Sequence, residues 1–106
     1  MPKMPTRSDP PRELTAPPEA VRTPGAMEIL RAWIVQGGLQ VSLAPAFKEP
    51  GAWGLLLTDV ARHAARAYAA EGICTEAEAL RRIREMIETE LARPTDPGTT
   101  RKLTTP

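Results

Sequence analysis

The sequence is poor in residues that commonly bind metals, since its 106 residues include one cysteine and one histidine. Cys74 has no second cysteine with which to form an internal disulfide, which fits a reducing cytoplasm. Because His63 is the only histidine, both a zinc site and Ser-His-Asp chemistry are disfavoured. We therefore expect no metal and no cofactor.

Long apolar runs and excess charge are also missing. No stretch approaches the roughly 18 apolar residues that a membrane-spanning helix needs, and the first residues lack the apolar segment of a secretory signal. The formal net charge is +1, so no long-range field attracts nucleic acid or an anionic membrane. The sequence thus predicts a soluble cytoplasmic protein without membrane binding, and it disfavours nucleic acid as a partner.

Prolines separate a central domain from two tails. Seven of the twelve prolines lie in residues 1–25. Because proline lacks an amide donor and keeps its predecessor out of helix, residues 1–25 are predicted to form a flexible arm and residues 94–106 a flexible tail. An arm that orders on a partner is the alternative. The domain itself, residues 26–93, is so small that a second copy of the chain would help to stabilise it.

The first half of the domain predicts a β-hairpin. Residues 28–35 are apolar and rich in β-formers, and residues 39–43 alternate apolar with polar side chains. Gly37-Gly38 can adopt positive φ at both central positions of a two-residue turn. That turn pairs Gln36 with Leu39, Ile34 with Val41, and Ala32 with Leu43. One face of the hairpin, which we call the aliphatic face, then carries Leu30, Ala32, Ile34, Leu39, Val41 and Leu43.

The opposite face of the hairpin is a predicted interface. It carries Ile29, Arg31, Trp33 and Val35 beside the polar Gln40 and Ser42. This face is too apolar to be plain solvent surface, and an isolated hairpin is barely stable. We therefore expect a homodimer that uses this face, an open strand edge or the alanine-rich helix that follows.

A long helix is predicted after the hairpin. Pro50 suits the first turn of a helix over residues 51–70, and Gly72 suits its end. Apolar residues at three- and four-residue steps predict one buried stripe, made of Trp53, Leu56, Leu57, Val60, Ala64, Ala67 and Tyr68.

A second helix completes a predicted ββαα fold of the α+β class. Thr75-Glu76-Ala77-Glu78 matches a capping box, and Pro94 ends the helix. Its predicted buried stripe is Leu80, Ile83, Ile87 and Leu91, widened by Ala79 and Met86. Its solvated face carries the i,i+4 pairs Glu78–Arg82, Arg81–Glu85 and Arg84–Glu88. We expect the two helices to pack antiparallel and to cover the aliphatic face.

Four polar residues on the first helix could carry chemistry: Asp59, Arg62, His63 and Arg66, which we call the Asp59 cluster. Asp59 and His63 are i,i+4 neighbours on a helix, so the carboxylate could orient the imidazole. Such a pair could serve as a base or as part of an anion site. The alternative is a surface salt-bridge group, which the lack of a nucleophile or second histidine favours.

Strand, helix, glycine turn and helix also suggest a ribbon-helix-helix DNA-binding protein, in which strands from two chains pair and enter the major groove. Gln40 and Ser42 would then face the bases, while Arg81, Arg82 and Arg84 would meet phosphates. The extra strand, the long first helix and the near-neutral charge disfavour this alternative.

Three blocks of the sequence carry a family resemblance: residues 28–33, residues 41–43 and, most specifically, residues 50–63. Together with residues 82–85, they resemble a bacterial family known as domain of unknown function 5076. The resemblance implies a small soluble bacterial protein and supplies no reaction, ligand or catalytic residue. We therefore expect a non-catalytic interaction or regulatory protein that acts as a homodimer, with an unidentified protein as a further partner. DNA binding and a small enzyme using Asp59 and His63 are the alternatives.

Overall fold

The computed structural model describes residues 9–101. Its elements are α1 (Pro18–Arg22), β1 (Leu30–Val35), β2 (Gly38–Leu43), α2 (Ala52–Ala70) and α3 (Glu76–Ala92). An antiparallel hairpin followed by two long helices confirms the predicted ββαα fold of the α+β class. Within the described part, no helix is both long and apolar enough to cross a membrane.

The chain divides into two compact units, Met1–Ala46 and Phe47–Pro106. The outer parts of the predicted arm and tail, residues 1–8 and 102–106, lie outside the described residues. The domain limits at residues 26 and 93 and the flexibility of the tails stay predictions.

Helix α1 lies in the stretch that was predicted to be a flexible arm. Pro18 is its first residue, where the missing N–H of proline costs no hydrogen bond. The carbonyl oxygen of Pro17 accepts hydrogen bonds from the amides of Ala20 and Val21 at 3.0 and 3.2 Å. Consecutive prolines therefore start one turn of helix here, a role that the sequence argument missed.

The hairpin forms, but its turn lies one residue earlier than predicted. Gln36 and Gly37 are the central residues, with φ of 51° and 81°, as a two-residue hairpin turn of this kind requires. Gly38 belongs to β2. The predicted partners were wrong by two residues, because the observed pairs are Leu30–Leu43, Ala32–Val41 and Ile34–Leu39. Since side-chain direction repeats every two residues along a strand, both faces keep their predicted composition.

Pro45 gives a physical reason for this register. In the predicted register Leu30 would face Pro45, which cannot donate a hydrogen bond to the ladder. With the turn one residue earlier, Leu30 faces Leu43. The amide of Ala44 then donates to the carbonyl oxygen of Ile29 at 2.9 Å. Coverage of the aliphatic face by the helices stays a prediction.

Helix α2 ends as the sequence predicts. Gly72 has φ of 74°, a conformation that glycine adopts without steric cost. Its amide donates to the carbonyl oxygen of Ala69 at 3.0 Å, and the amide of Ile73 donates to that of Tyr68 at 3.1 Å. These two bonds form a Schellman motif, which satisfies carbonyl groups that the helix end leaves open.

Helix α3 begins with half of the predicted capping box. The Thr75 hydroxyl oxygen accepts a hydrogen bond from the Glu78 amide at 3.1 Å, as a threonine N-cap does. The Glu78 carboxylate, however, accepts from Arg81 and Arg82. These two guanidinium groups, within one turn of Glu78, hold its side chain along the helix. The side chain therefore points away from the Thr75 amide, which it would bond in a complete capping box.

Helices α2 and α3 pack antiparallel across the connection of residues 71–75. Among the described residues, only Ala65 and Ala79 are buried, at 0% and 5% exposure. The predicted stripes are broader than this contact, because Trp53, Leu56, Ala64, Leu80 and Ile83 are only half-buried. Other stripe members are exposed: Leu57, Val60, Ala67, Tyr68, Ile87 and Leu91. A pair of helices meets along one line, whereas a wide apolar stripe needs a further surface to cover it.

Candidate functional site

The Asp59 cluster lies along α2, and all four of its residues are exposed. The Arg66 guanidinium lies 3.7 Å from the Glu76 carboxylate of α3, and both side chains are more than half exposed. Such a pair contributes little to stability. Within residues 9–101, no hydrogen bond or ion pair joins Asp59 to His63. The structure therefore presents a solvated helix face, and the use of Asp59 and His63 as a base stays a prediction.

Arg31 is the centre of the predicted interface face. Its guanidinium donates to the Glu28 carboxylate at 3.0 and 3.1 Å and to the Glu13 carboxylate at 2.8 Å. It also lies 5.7 Å from the centroid of the Trp33 ring, within reach of a cation–π contact. Hydrogen bonds and charge from Glu28, and then from Glu13, raise the pKa of Arg31 above its usual value.

The predicted interface residues are thus placed together on one hairpin face, and part of that face is already occupied. Ile29 and Trp33 are half-buried, while Val35 is exposed. Glu13 comes from the stretch that was predicted to be a flexible arm, and it reaches Arg31 across 18 positions of sequence. No local pattern links two residues so far apart, so the sequence argument missed this contact.

The proposed base-reading residues, Gln40 and Ser42, are exposed on this same face, where they pair with Trp33 and Arg31. Both strands of the sheet belong to one chain. In a ribbon-helix-helix protein the pairing strands come from two chains. The hairpin therefore differs in construction from the DNA-binding ribbon.

The arginines of α3 are matched by carboxylates, as their spacing predicts. Arg81 binds Glu85 at 2.8 Å and Arg82 binds Glu78 at 3.0 Å, while Arg84 lies 4.0 Å from Glu88. Hydrogen bonds from Arg81 and then Arg82 lower the pKa of Glu78. The exposed side of α3 is therefore a mixed-charge surface, whereas phosphate binding needs a basic one.

Each unit has an open cavity within the described residues. The first, about 320 Å³, lies at the open end of the hairpin between residues 28–31 and residues 42–44. The second, about 330 Å³, lies at the turn between the long helices and is lined mainly by Tyr68, Ile73, Cys74, Ile83 and Met86. Both volumes are at the lower end of the range for ligand pockets. Neither cavity includes a member of the Asp59 cluster.

The described part of the chain also lacks a candidate metal site and an unpaired buried polar group. Among residues 9–101, no three histidine, cysteine, aspartate or glutamate side chains come together in a way that could hold a metal ion. No buried side-chain nitrogen or oxygen there lacks a hydrogen-bond partner. The polar groups are thus either solvated or already paired.

Comparison with known proteins gives a family and a solved relative. The family model described as "Domain of unknown function (DUF5076)" matches residues 13–95. A solved structure of a "putative pyruvate dehydrogenase from the photosynthetic bacterium Rhodopseudomonas palustrus" is 49% identical, with a TM-score of 0.75. The alignment covers 90% of this chain and 98% of the relative. No curated protein matches the chain.

Proposed function

We propose that this chain, which belongs to the family described as Domain of unknown function (DUF5076), is a small non-catalytic interaction or regulatory protein. We further propose that it acts as a homodimer in the cytoplasm and that its exposed apolar surface meets a protein partner. The family description assigns no reaction, so this proposal depends on the chain's own residues.

One observation carries the proposal: no large apolar side chain is fully buried in the described part of the chain. Among the described residues only two alanines are buried, while seventeen large hydrophobic residues are exposed. Covering a leucine, isoleucine or valine side chain stabilises a protein by about 1.5–3 kcal/mol. A chain of this size needs several such contributions to offset its conformational entropy. A second copy is the simplest source of them, because it is present wherever the chain is.

A catalytic role has less support from the geometry. The candidate base pair, Asp59 and His63, is exposed and lies outside both cavities. The Rhodopseudomonas relative is described as a "putative pyruvate dehydrogenase", an activity that requires a pocket able to surround its substrate and orient catalytic groups toward it. That description assigns no role to any residue of this chain.

DNA binding is the second candidate, and the exposed Gln40 and Ser42 are the observation that favours it. Binding of this class depends strongly on salt, because phosphate contacts release counterions. If the protein reads DNA, duplex binding should weaken with salt and be lost on Gln40→Ala or Arg82→Ala. If it does not, both variants should behave as the parent protein does.

Light scattering on the full chain at tens of micromolar tests the proposal directly. We expect a mass close to twice the chain mass of 11.5 kDa. Affinity capture from the source cell should then return one protein partner, and a titration with duplex DNA should show no salt-sensitive binding. A strictly monomeric mass would overturn the homodimer, and specific duplex binding would replace the interaction role with the DNA-binding one.

A further inference from the structure

We infer that two copies of the chain associate through the aliphatic face of the hairpin, the two faces packing on each other about a two-fold axis. This inference deepens the proposed function and rests on it, because it names the surface that makes the homodimer. It replaces two predictions made from the sequence, namely that the helices cover the aliphatic face and that the homodimer uses the face of Ile29, Arg31, Trp33 and Val35.

The two faces of the hairpin differ in how much apolar area they expose to water. On the aliphatic face Ile34, Leu39 and Leu43 are 83%, 72% and 58% exposed. On the other face Trp33 is half-buried beside the Arg31 guanidinium, which Glu13 and Glu28 hold in place. A partner would gain more by covering the aliphatic face, since more apolar area there is still in contact with water.

The lack of charged side chains also favours the aliphatic face as the interface. The three cross-strand pairs of the aliphatic face contain only Leu, Ala, Ile and Val: Leu30–Leu43, Ala32–Val41 and Ile34–Leu39. In an isologous dimer the same patch occurs on both sides of the interface, so any charge on it would face its own copy. This face carries none. A dimer through the other face would bring Arg31 of the two copies close together. It would also disturb the hydrogen bonds of Arg31 with Glu13 and Glu28.

The shape of the aliphatic face suits packing against a second copy of itself. The pair at the centre of the face is Ala32–Val41, and larger side chains lie at both ends, in Leu30–Leu43 and Ile34–Leu39. The surface of the face is therefore lower at its centre than at its two ends, because the central side chains are smaller. Two such faces interlock when their strands cross at a large angle, which is the orthogonal mode of sheet packing.

The apolar area of the aliphatic face matches the area that a small specific interface buries. The exposed aliphatic side chains of one hairpin present an apolar patch on the order of 500 Å², near the upper end for a soluble monomer. Two copies would together bury on the order of 1,000 Å², the lower limit for a specific interface. Because two strands alone are marginally stable, the second hairpin also supplies the missing layer.

Charge substitutions on adjacent positions of β2 test this inference. Val41→Lys places an ammonium group at the centre of the aliphatic face, while Gln40→Lys adds the same group one residue away on the other face. A charge buried without a partner is costly, so we expect Val41→Lys to weaken self-association by roughly a hundredfold or more. Gln40→Lys should leave it unchanged. Sedimentation velocity gives both values.

Two further measurements keep the test decisive if Val41→Lys alone fails to fold. An equimolar mixture of Val41→Lys and Val41→Glu chains should regain the dimer mass, since the opposite charges lie close to each other across the axis. In a Cys74→Ser background, which removes the only native cysteine, Val41→Cys should form a disulfide-linked dimer under mild oxidation. Gln40→Cys should not.

The outcomes separate this inference from the proposed function. A parent protein that is dimeric, with Val41→Lys equally dimeric and Val41→Cys unlinked, would overturn the named surface and leave the homodimer standing. A parent protein that is monomeric, with the aliphatic face covered by its own helices, would overturn both. Loss of the dimer in Val41→Lys alone, with rescue in the mixed sample, is the result that we expect.

Discussion

Ala65 offers the sharpest test of how the two long helices pack. It is fully buried, at 0% exposure, whereas Ala67, two residues further along α2, is exposed. Ala65→Leu adds three carbon atoms where the structure has no room for them. Overpacking of this kind costs about 1–3 kcal/mol. For a domain of this size, a loss of about 2 kcal/mol lowers the thermal midpoint by roughly 10 °C.

Ala67→Leu is the matched control, since it adds the same atoms on the same helix in contact with solvent. We expect it to change the free energy of unfolding by no more than about 0.5 kcal/mol. Thermal and urea unfolding, followed by circular dichroism at one fixed protein concentration, measure both variants. A larger loss at Ala67 than at Ala65 would show that α3 packs on the stripe that the sequence predicts, and it would refute the burial of Ala65 between the two helices.

Three other predictions follow from single contacts. Gly72→Ala should destabilise the protein by about 1 kcal/mol, because a side chain at positive φ is strained. Gly54→Ala, in a helix with open space around it, should instead stabilise the protein by about 0.5–1 kcal/mol. Equal effects of the two substitutions in chemical denaturation would contradict the Schellman motif. Thr75→Ala should cost about 1 kcal/mol in the same assay by removing the N-cap of α3, and a neutral result would mean that the cap is dispensable. Hydrogen bonds from the Thr95 hydroxyl and amide lower the pKa of Glu90, so this contact stabilises the fold above the ordinary glutamate pKa and is lost as pH falls through the lowered value; Thr95→Val should raise the pKa in an NMR titration, and an unchanged value would rule out the hydroxyl contact.

The faces of the hairpin could be predicted from the sequence, while its register could not. Alternation in residues 39–43 fixes which side chains share a face, because period two is a property of any strand. The register depends on which two residues form the turn, and Gly37 fits either choice. The structure selects Gln36 and Gly37, which keeps Pro45 out of the ladder. A rule that places the turn from its glycines alone does not take Pro45 into account, because Pro45 lies outside the turn.

Helix ends were easier to predict than helix contacts. Thr75 and Gly72 act through their own backbone neighbourhood, so local sequence is sufficient to identify them. The contact at Ala65 was not predicted, because alanines occupy several directions around α2 and the periodicity does not rank them. Which alanine is buried depends on the helix that packs against it, and that information lies in α3.

The Asp59 cluster shows the same limit for a candidate site. Spacing placed Asp59 and His63 one turn apart, and the helix does so, but spacing does not determine which partners the side chains choose. Arg66 lies near Glu76 of the next helix, a contact that needs the tertiary fold. The ion pair between Glu13 and Arg31 was missed for the same reason, since a composition rich in proline gave no hint that the arm would reach β1.

The dependence of thermal stability on protein concentration tests the central claim most directly. A chain that completes its core with a second copy has a folding equilibrium that includes association, so mass action couples the two. The thermal midpoint of the full chain should therefore rise steadily as its concentration is increased by about a hundredfold. A midpoint that stays constant over that range would show that one chain folds without its partner, and it would contradict the account.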